Sequence, residues 1–373
     1  MLDSIPDAIR AIAAGELVVV VDDTDRENEG DLIVAAGKAS AERIAFMIRH
    51  TSGILCVPMI EERAKRLSLA PMVADNIDPL RTAFTVSVDY RVGLTTGISA
   101  EERSATARAL ANDNCSGTDF IRPGHMFPLI ARPGGVLTRS GHTEAATDLA
   151  RLAGLPPLGV LAEIVNDDGT VKRLPELVAF AREHGLKIVS IEDLIQYRIR
   201  TECFVEPGGE EVSRSGPVPV TVRAYRTPFD PLHHVAIIFG DIGDGRDVPC
   251  RVHREQPVAE LMDMLAGRQS WLEVSRRKLE QLGRGVLILV RNPLAHEPPH
   301  DADALPQALE DGERHGSARR RVERWREIGV GAQILRDLGI GSIALLATRE
   351  QHYVGLSGFG IEITRMLRID DEG

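Results

Sequence analysis

The sequence predicts an α/β chain of two domains. With 373 residues, the chain is longer than most chains that fold around a single hydrophobic core. Helix and strand patterns alternate through both halves. Between the halves, residues 205–216 are rich in Gly, Pro, Ser and charge, which is typical of a linker. We therefore expect one domain over residues 1–204 and another over 217–373.

The first half opens with a helix that Ser4 can cap and Gly15 can end. The apolar run "LVVVV", residues 17–21, predicts a buried strand directly after it. Later helices begin at Ser40 and at Ser99, where Glu102 stands at the spacing of a capping box. Further strands are predicted in "GILCVPM", "AFTVSVDY", "GVLAEIV" and "LKIVSI", and further helices in "TEAATDLARLAG", "LPELVAFAREHG" and "EDLIQYRIR".

The second half alternates in the same way. Strands are predicted in "VTVRAYR", "HVAIIFGDI" and "GVLILV", and helices in "VAELMDMLA", "WLEVSRRKLEQLG" and "GAQILRDLG". Residues 292–324 break this rhythm, because they are rich in Pro, His and charge. That composition predicts a long mobile loop or partial disorder.

Composition excludes several classes of function. A formal net charge of −11 argues against a nucleic-acid partner, and apolar runs are too short for a membrane span. The N-terminus lacks the basic stretch of a signal peptide. The four cysteines form no CxxC pair, so neither a disulfide framework nor a zinc knuckle is indicated. We expect a cytoplasmic protein.

The stretch "DDTDRENEGD", residues 22–31, contains many charged residues and directly follows the "LVVVV" strand. Open α/β sheets usually place ligands at the carboxyl ends of strands. Glu27, Glu29 and Asp31 can project together, and Arg26 stands among them. The stretch is either a solvated acidic turn or a loop that holds both a divalent cation and an anionic substrate.

A second polar cluster immediately precedes a predicted helix. It consists of Arg139, Ser140, Gly141, His142 and Thr143. Free N–H groups at a helix N-terminus bind phosphate or carboxylate, and glycine lets the backbone approach closely, so an anion pocket is plausible here. His142 is either a metal ligand or a histidine that caps or packs, and spacing alone does not choose.

Three other residues raise similar questions. His125 in "RPGHMFPL" has the same two interpretations as His142. Glu163 lies in the apolar strand "GVLAEIV", where a carboxylate is costly unless it is paired or used, which favours an acid/base role. Cys56 fits an ordinary buried cysteine.

Several ordered motifs carry a family resemblance. "VVVVDDTDRENEGDLIVAA", "RHTSGILCVPM", "RPGHMFPL" and "GGVLTRSGHTEAATDLARLAG" resemble 3,4-dihydroxy-2-butanone 4-phosphate synthase of riboflavin biosynthesis over about the first 200 residues. The resemblance implies a three-layer mixed-sheet domain and a lyase that converts D-ribulose 5-phosphate to the butanone phosphate and formate through a metal-stabilised enediolate. It also implies a homodimer with active sites at the subunit interface.

The same resemblance implies roles for individual residues. Glu27 and His142 ligate Mg²⁺ or Mn²⁺, with two ions in each active site. Glu29, His125 and Glu163 serve catalysis. Substrate is bound by Arg26, Glu27, Asp31, Arg139, Ser140, Gly141, His142, Thr143 and Glu163.

From about residue 217 the chain resembles GTP cyclohydrolase II, through "VAIIFGDIGDGRDVPCRVHRE" and "LEQLGRGVLILV". That implies a smaller α+β domain. The family's zinc cysteines are missing, because Gln256 follows "RVHRE" and "MLAGRQSW" contains no cysteine, while Cys250 precedes the motif. We therefore expect no zinc, an inactive domain and a role in dimerisation or regulation. The alternative is a bifunctional enzyme with replacement ligands, of which His253, His296 and His300 are the candidates.

Overall fold

A computed structural model describes residues 2–24, 26–228, 230–291, 328–347 and 360–368. The chain divides into two compact units between Arg198 and Ile199, a few residues before the predicted domain end at 204. The proline-rich segment 292–324, with His296 and His300, lies outside the described residues.

The first unit is built on a seven-stranded mixed sheet with strand order β4-β5-β3-β6-β2-β1-β7. Its strands are β1 Val18–Val21, β2 Gly30–Ala35, β3 Cys56–Met59, β4 Val88–Tyr90, β5 Phe120–Ile130, β6 Gly159–Glu163 and β7 Lys187–Ser190. Its helices are α1 Ile5–Ala14, α2 Ala41–His50, α3 Glu61–Arg66, α4 Ala100–Leu110, α5 His142–Leu152, α6 Leu174–His184 and α7 Ile191–Thr201. The α/β prediction for this half is confirmed.

Strands β1 and β2 are interior strands of this sheet. Every residue of both strands is buried, as expected for strands covered on both faces. Val19 and Val21 belong to the core that also contains residues of α2, α4 and α6. Val18 and Val20 alternate with them and are equally buried, so they face the other side of the sheet.

The predicted helix starts are confirmed. Ser4 and Ser40 cap α1 and α2 by accepting backbone N–H groups. Ser99 and Glu102 form the expected capping box of α4. Gly15 ends α1 in the left-handed region, with φ of 78°.

The region of "AFTVSVDY" differs from its prediction. Only Val88–Tyr90 form a strand there, and the earlier residues make isolated bridges such as Phe84 with Leu129. Their neighbour β5 contains Pro128, which has no N–H to donate. A regular ladder therefore cannot run the full length of the pair.

In the part of the chain that the structure describes, the second unit contains another seven-stranded sheet, with strand order β14-β13-β11-β12-β10-β9-β8. Its strands are β8 Glu206–Ser213, β9 Val220–Thr227, β10 Asp230–Phe239, β11 Val248–Arg254, β12 Gly285–Val290, β13 Ser342–Ala347 and β14 Glu362–Arg368. Its helices are α8 Pro257–Leu265 and α9 Trp271–Leu282, and residues 328–337 are also helical. Strands β11 to β14 pair in parallel, and β8 to β10 pair antiparallel.

The predicted linker 205–216 needs a correction. Most of it is strand β8, which pairs with β9 at the edge of the second sheet. Every residue of β8 is exposed, so its polar, glycine-rich composition resembled that of a loop. Backbone pairing, which leaves no signature in composition, makes it a strand.

Among the described residues, no helix is both long enough and apolar enough to cross a membrane.

Candidate active site

The loop between β1 and β2 is called here the acidic loop. Its described residues, 22–24 and 26–29, fold around Asp22. One oxygen of the Asp22 carboxylate accepts the backbone N–H of Glu27 at 3.0 Å, and the other accepts that of Glu29 at 2.9 Å. Asn28 takes a left-handed conformation, with φ of 54°. These contacts fix the backbone from which the Glu27 and Glu29 carboxylates project.

Arg26 is an internal partner of the acidic loop. Its side chain is 2% exposed, and its guanidinium donates to Asp22 Oδ2 at 3.1 Å and also to the Glu27 carboxylate. The predicted role of Arg26 in binding substrate stays a prediction. In this structure it offsets the negative charge of its neighbours.

Residues at the start of helix α6 contact the acidic loop and the strand that follows it. The Arg173 guanidinium donates to the carbonyl of Glu27 at 2.8 Å and also to that of Asn28. One turn later Leu177 packs so closely on Gly30 that a Cβ there would lie 2.6 Å from Leu177 Cδ1. Asp22 therefore binds the N–H groups of the loop, and Arg173 binds its carbonyls.

Strand pairing brings Glu163 to the same place. In the antiparallel pair of β2 and β6, Glu163 lies opposite Asp31. Ser52, just after α2, donates from Oγ to Glu163 Oε2 at 2.5 Å, and its N–H donates to the Glu163 carbonyl at 2.9 Å. The sequence prediction missed Ser52, and nothing in its local pattern could have paired it with a residue more than a hundred positions away.

His142 opens α5 as a buried, neutral imidazole. Its Nε2 lies 3.1 Å from the carbonyl oxygen of Val20, which assigns the proton to Nε2 and leaves Nδ1 as an acceptor. Nδ1 lies 3.9 Å from Asp31 Oδ1. Burial lowers the pKa of His142 to about 4. An imidazole held in this way is suited to ligate a metal.

Among the residues that the structure describes, two groups of side chains could hold a cation, and His142 belongs to both. One combines it with Asp22 and Glu27, the other with Glu29 and Asp31, and within each group the ligand atoms lie within 4.8 Å of one another. The sequence prediction did not include Asp22. Its position directly after a buried strand was the available signal.

The titration behaviour of these carboxyl groups fits a cation site. Burial, followed by repulsion from Glu27 and Glu163, raises the pKa of Glu29 to about 7. Burial also raises the pKa of Asp31 well above its usual range, and Asp31 Oδ1 is buried without a hydrogen bond. A divalent cation would supply the missing partner, and several oxygen ligands with one imidazole suit Mg²⁺ or Mn²⁺.

The predicted anion cluster lies at the start of α5. Arg139 donates to Glu144 Oε2 at 2.8 Å, and a Cβ on Gly141 would lie 2.3 Å from Arg139 Nη1, so a side chain there would displace the guanidinium from this position. Ser140 and Thr143 are buried beside them. Glu144, absent from the sequence prediction, fixes the guanidinium at the helix N-terminus, where backbone N–H groups have no intrahelical acceptor.

His125 is not part of this constellation within one chain. It pairs with Asp89, whose Oδ2 lies 2.7 Å from His125 Nδ1 and whose Oδ1 accepts its backbone N–H at 2.8 Å. The imidazole is 41% exposed. Strands β3 and β6 separate β5 from β2, and three strand spacings amount to about 14 Å. The prediction that His125 is catalytic stays open.

The zinc-motif remnant of the second unit has a different structure. His253 Nε2 lies 2.7 Å from Glu260 Oε1, and the ring stacks on Trp271 at 3.5 Å between centroids. Gln256 is exposed at the start of α8. Cys250 is fully buried in β11, and burial raises the pKa of its thiol to about 12.

The chain matches two protein families, one in each half. Residues 6–197 match the family described as 3,4-dihydroxy-2-butanone 4-phosphate synthase. Residues 212–368 match the family described as GTP cyclohydrolase II.

Curated relatives match nearly the whole chain. The chain is 45% identical to the monofunctional riboflavin biosynthesis protein RIBA 2, chloroplastic, of Arabidopsis thaliana, over 97% of this chain and 76% of that protein. It is 46% identical to the riboflavin biosynthesis protein RibBA of Nocardia farcinica, over 97% of this chain and 89% of that one.

Solved structures also resemble it. RibBX, a two-domain 3,4-dihydroxy-2-butanone 4-phosphate synthase from A. baumannii, superimposes with a TM-score of 0.75 at 37% identity, over 98% of this chain and all of that one. A 3,4-dihydroxy-2-butanone 4-phosphate synthase in complex with two magnesium ions is 48% identical, with a TM-score of 0.52, over 54% of this chain and 98% of that one.

Proposed function

The chain belongs to the 3,4-dihydroxy-2-butanone 4-phosphate synthase family of riboflavin biosynthesis, and we propose that its first unit converts D-ribulose 5-phosphate to 3,4-dihydroxy-2-butanone 4-phosphate and formate. The observation that carries this reaction is the set of four carboxylates that lie around His142, those of Asp22, Glu27, Glu29 and Asp31. A fused cyclohydrolase-II-like domain follows it.

We assign the cation to the acidic loop and His142, with Asp22 added to the predicted ligands Glu27 and His142. Two neighbouring ligand groups suit two ions, and the magnesium-bound relative holds that number. When bound, Mg²⁺ or Mn²⁺ stabilises negative charge that develops on adjacent sugar oxygens by several kcal/mol.

The carboxyl groups beside that position are suited to move protons. Glu29 lies in the acidic loop beside the predicted ligand Glu27, and a carboxylate in that position can take up and return a proton. Ser52 fixes Glu163 by a short hydrogen bond. Removing a proton next to the substrate ketone gives an enediolate, and the later dehydration and loss of formate each need further transfers. We assign those transfers to Glu29 and Glu163.

The sugar phosphate fits the start of α5. Arg139, Gly141 and Thr143 present a guanidinium and backbone N–H groups close to His142. Asp31 and Ser140 lie at the same end of the sheet and helix. A phosphate held there would direct the sugar oxygens toward the acidic loop.

A homodimer would explain the position of His125. Its imidazole is exposed and held by Asp89, yet it lies too far from the acidic loop to act within its own chain. In a dimer with sites at the interface, His125 of one copy would serve the acidic loop of the other. The location we propose is cytoplasmic, in keeping with four unpaired cysteines.

The reaction is tested by measuring formate release from D-ribulose 5-phosphate by the full chain. We expect turnover with Mg²⁺ or Mn²⁺ and none after chelation. Turnover that persists in excess chelator would contradict the cation assignment. No turnover with any divalent cation would contradict the reaction.

We further propose that the second unit has lost GTP cyclohydrolase II activity. Catalytic zinc needs about three protein ligands and an open position. At the remnant motif Gln256 is exposed, Cys250 is enclosed in a strand, and His253 is already bonded to Glu260. The alternative is a bifunctional enzyme, and both monofunctional and bifunctional relatives occur.

Incubating the full chain with GTP and added Zn²⁺ separates these possibilities. We expect no formate and no pyrophosphate, and no zinc in the purified protein by elemental analysis. Zinc-dependent release of both products would establish the bifunctional alternative, and substitution of His253, His296 and His300 would then locate the replacement ligands.

A further inference from the structure

The loop between β5 and α5, residues 131–141, is held by two buried carboxylates of α5. Glu144 Oε1 accepts the backbone N–H of Arg132 at 2.9 Å. One helical turn later, Asp148 Oδ2 accepts the backbone N–H of Val136 at 2.8 Å. Residues four positions apart lie on the same face of a helix, and both carboxylates are almost fully buried. One face of α5 therefore binds the loop at two points.

Arg198 of α7 pairs with the second of these carboxylates. Its Nη1 donates to Asp148 Oδ2 at 2.7 Å and to the carbonyl of Gly134 at 2.7 Å, and its side chain is buried. A Cβ on Gly135, where φ is 63°, would lie 2.3 Å from each Asp148 oxygen. A side chain at position 135 would therefore separate the loop from the ion pair. Asp148 and Arg198 together hold one N–H and one carbonyl of the loop.

Backbone hydrogen bonds connect this held segment to Arg139. The carbonyl of Gly135 accepts the N–H of Thr138 at 2.8 Å and that of Arg139 at 3.1 Å. The guanidinium of Arg139 donates to Glu144, and its Nη2 donates to the carbonyl of Leu80 at 3.2 Å. Within the part of the chain that the structure describes, Arg139 Nε is buried without a hydrogen-bond partner. A phosphate oxygen would be a strong acceptor for that N–H.

The cost of burying two charges indicates what the ion pair of Asp148 and Arg198 does. Loss of hydration offsets most of the attraction between two buried charges, so apolar side chains of similar size often give a fold equal stability. The pair adds fixed geometry instead, because it holds the backbone of residues 134–136 shortly before Arg139. A displacement of about 1 Å in a group that binds substrate can lower a rate by about a hundredfold.

We infer that Asp148 and Arg198 are positioning residues that set where Arg139 meets the substrate phosphate. They act through the backbone of residues 134–136, while Glu144 orients the guanidinium directly. The inference rests on the proposed function, which assigns the sugar phosphate to the start of α5. It predicts that changes at this ion pair weaken phosphate binding and leave the cation site as it is.

Phosphate binding by the full chain tests this role. Asp148→Asn keeps the size of the side chain and removes its charge, so Arg198 and the loop lose a fixed acceptor. We expect the KM for D-ribulose 5-phosphate and the dissociation constant of inorganic phosphate, measured by calorimetry, to rise by about tenfold, the effect of one charged hydrogen bond. Mn²⁺ affinity should be unchanged. Arg151→Met is the matched control and should alter neither constant, because Arg151 is exposed and its Nη2 lies 3.8 Å from Asp148 Oδ1.

A double-mutant cycle separates positioning of Arg139 from general support of the fold. Asp148→Asn should weaken phosphate binding in the otherwise unaltered chain and have no further effect in an Arg139→Met background. Additive losses of phosphate affinity would overturn the inference, and so would unchanged affinity in folded Asp148→Asn. An equal loss of Mn²⁺ affinity would also overturn it, since the ion pair would then support the whole site.

The double variant Asp148→Leu/Arg198→Met covers the case in which Asp148→Asn does not fold. It removes both charges together, so neither is left buried without a partner. We expect it to unfold cooperatively on heating and to show a similar loss of phosphate affinity. Failure of both variants to fold would overturn the inference, because the ion pair would then be needed for the fold itself.

The unaltered chain separates failure of this inference from failure of the proposed reaction. Phosphate binding without formate release would contradict the reaction alone, and the comparison of variants would still stand. An unaltered chain that binds no phosphate would contradict the anion site at the start of α5 and this inference with it.

Discussion

Two histidines, one in each unit, show how the surroundings of a side chain decide its chemistry. His142 donates from Nε2 to a backbone carbonyl, and its Nδ1 lies 3.9 Å from the buried carboxylate of Asp31. His253 has its Nε2 on Glu260 and its ring stacked on Trp271. Both have a pKa lowered by burial. Only His142 retains a nitrogen that faces several potential metal ligands.

The difference lies in what surrounds each imidazole. Around His142 several carboxylates converge from a loop and a strand. Burial, followed by repulsion from neighbouring carboxylates, raises the pKa of Glu29 and of Asp31, and a cation would offset both effects. Around His253 one glutamate and one indole already satisfy and cover the ring. A histidine at a family position is therefore evidence for a metal only when its neighbours need one.

The largest expected effect is loss of a metal ligand. Glu27→Ala and His142→Ala should each lower formate release by about a thousandfold or more, because several kcal/mol of charge stabilisation is lost. His253→Ala is the matched control and should leave formate release unchanged. Circular dichroism checks that each variant folds. Near-normal rates in either ligand variant would show that these residues do not hold the essential cation.

Substitution of the strand carboxylate comes next. Glu163→Gln keeps the size and hydrogen-bonding shape of the side chain but cannot transfer a proton. We expect kcat to fall by about 10²–10⁴-fold with KM little changed. Ser52→Ala, which removes the partner of Glu163, should have a smaller effect on kcat. A Glu163→Gln variant with altered KM alone would make Glu163 a binding residue.

The acidic loop should also make stability depend on pH. The folded-state pKa of Glu29 is raised from 4.5 to about 7. Its contribution to stability is therefore present below pH 4.5 and is lost as the pH rises through 7. Cation-free protein should lose free energy of unfolding over this range, and Mg²⁺ should restore more at pH 8 than at pH 5. The Glu29→Gln variant should show a flatter profile, and an equally steep one would refute the assignment.

We expect a moderate effect from removing the contact between Arg173 and the acidic loop. Arg173→Met removes the donor to the carbonyls of Glu27 and Asn28. Mn²⁺ binding, followed by electron paramagnetic resonance, should weaken by about tenfold, as for other residues that orient metal ligands. Arg182 is an exposed residue of α6, and Arg182→Met is the control. Unchanged Mn²⁺ affinity in Arg173→Met would show that Asp22 alone holds the loop.

The smallest effect is expected from removing the second unit. A chain ending at residue 204 keeps the acidic loop, β6 and the start of α5, and its sheet has its own core. It should retain the formate-release rate of the full chain. Loss of activity in a folded truncated chain would show that the second unit completes the synthase or its dimer.

Much of the fold could be predicted because its signals are local. Serine caps at Ser4, Ser40 and Ser99 and the run "LVVVV" each specify an element within a few residues. Strand β8 could not be predicted in this way, since its pairing with β9 depends on backbone groups. The short β4 likewise depends on a proline in its neighbour.

The same distinction between local and tertiary signals applies to the candidate site. By itself, the sequence determined which residue types stand at the ends of strands and helices, and so it pointed to Glu27, Glu29, Asp31, His142 and Glu163. Only the tertiary structure decided that Asp22 and Ser52 join them, that Arg26 is an internal ion-pair partner, and that His125 lies apart. The reason is physical. Side-chain type is a property of one position, whereas a ligand set, a tautomer and a raised pKa arise from distances between positions that the folded sheet alone brings together.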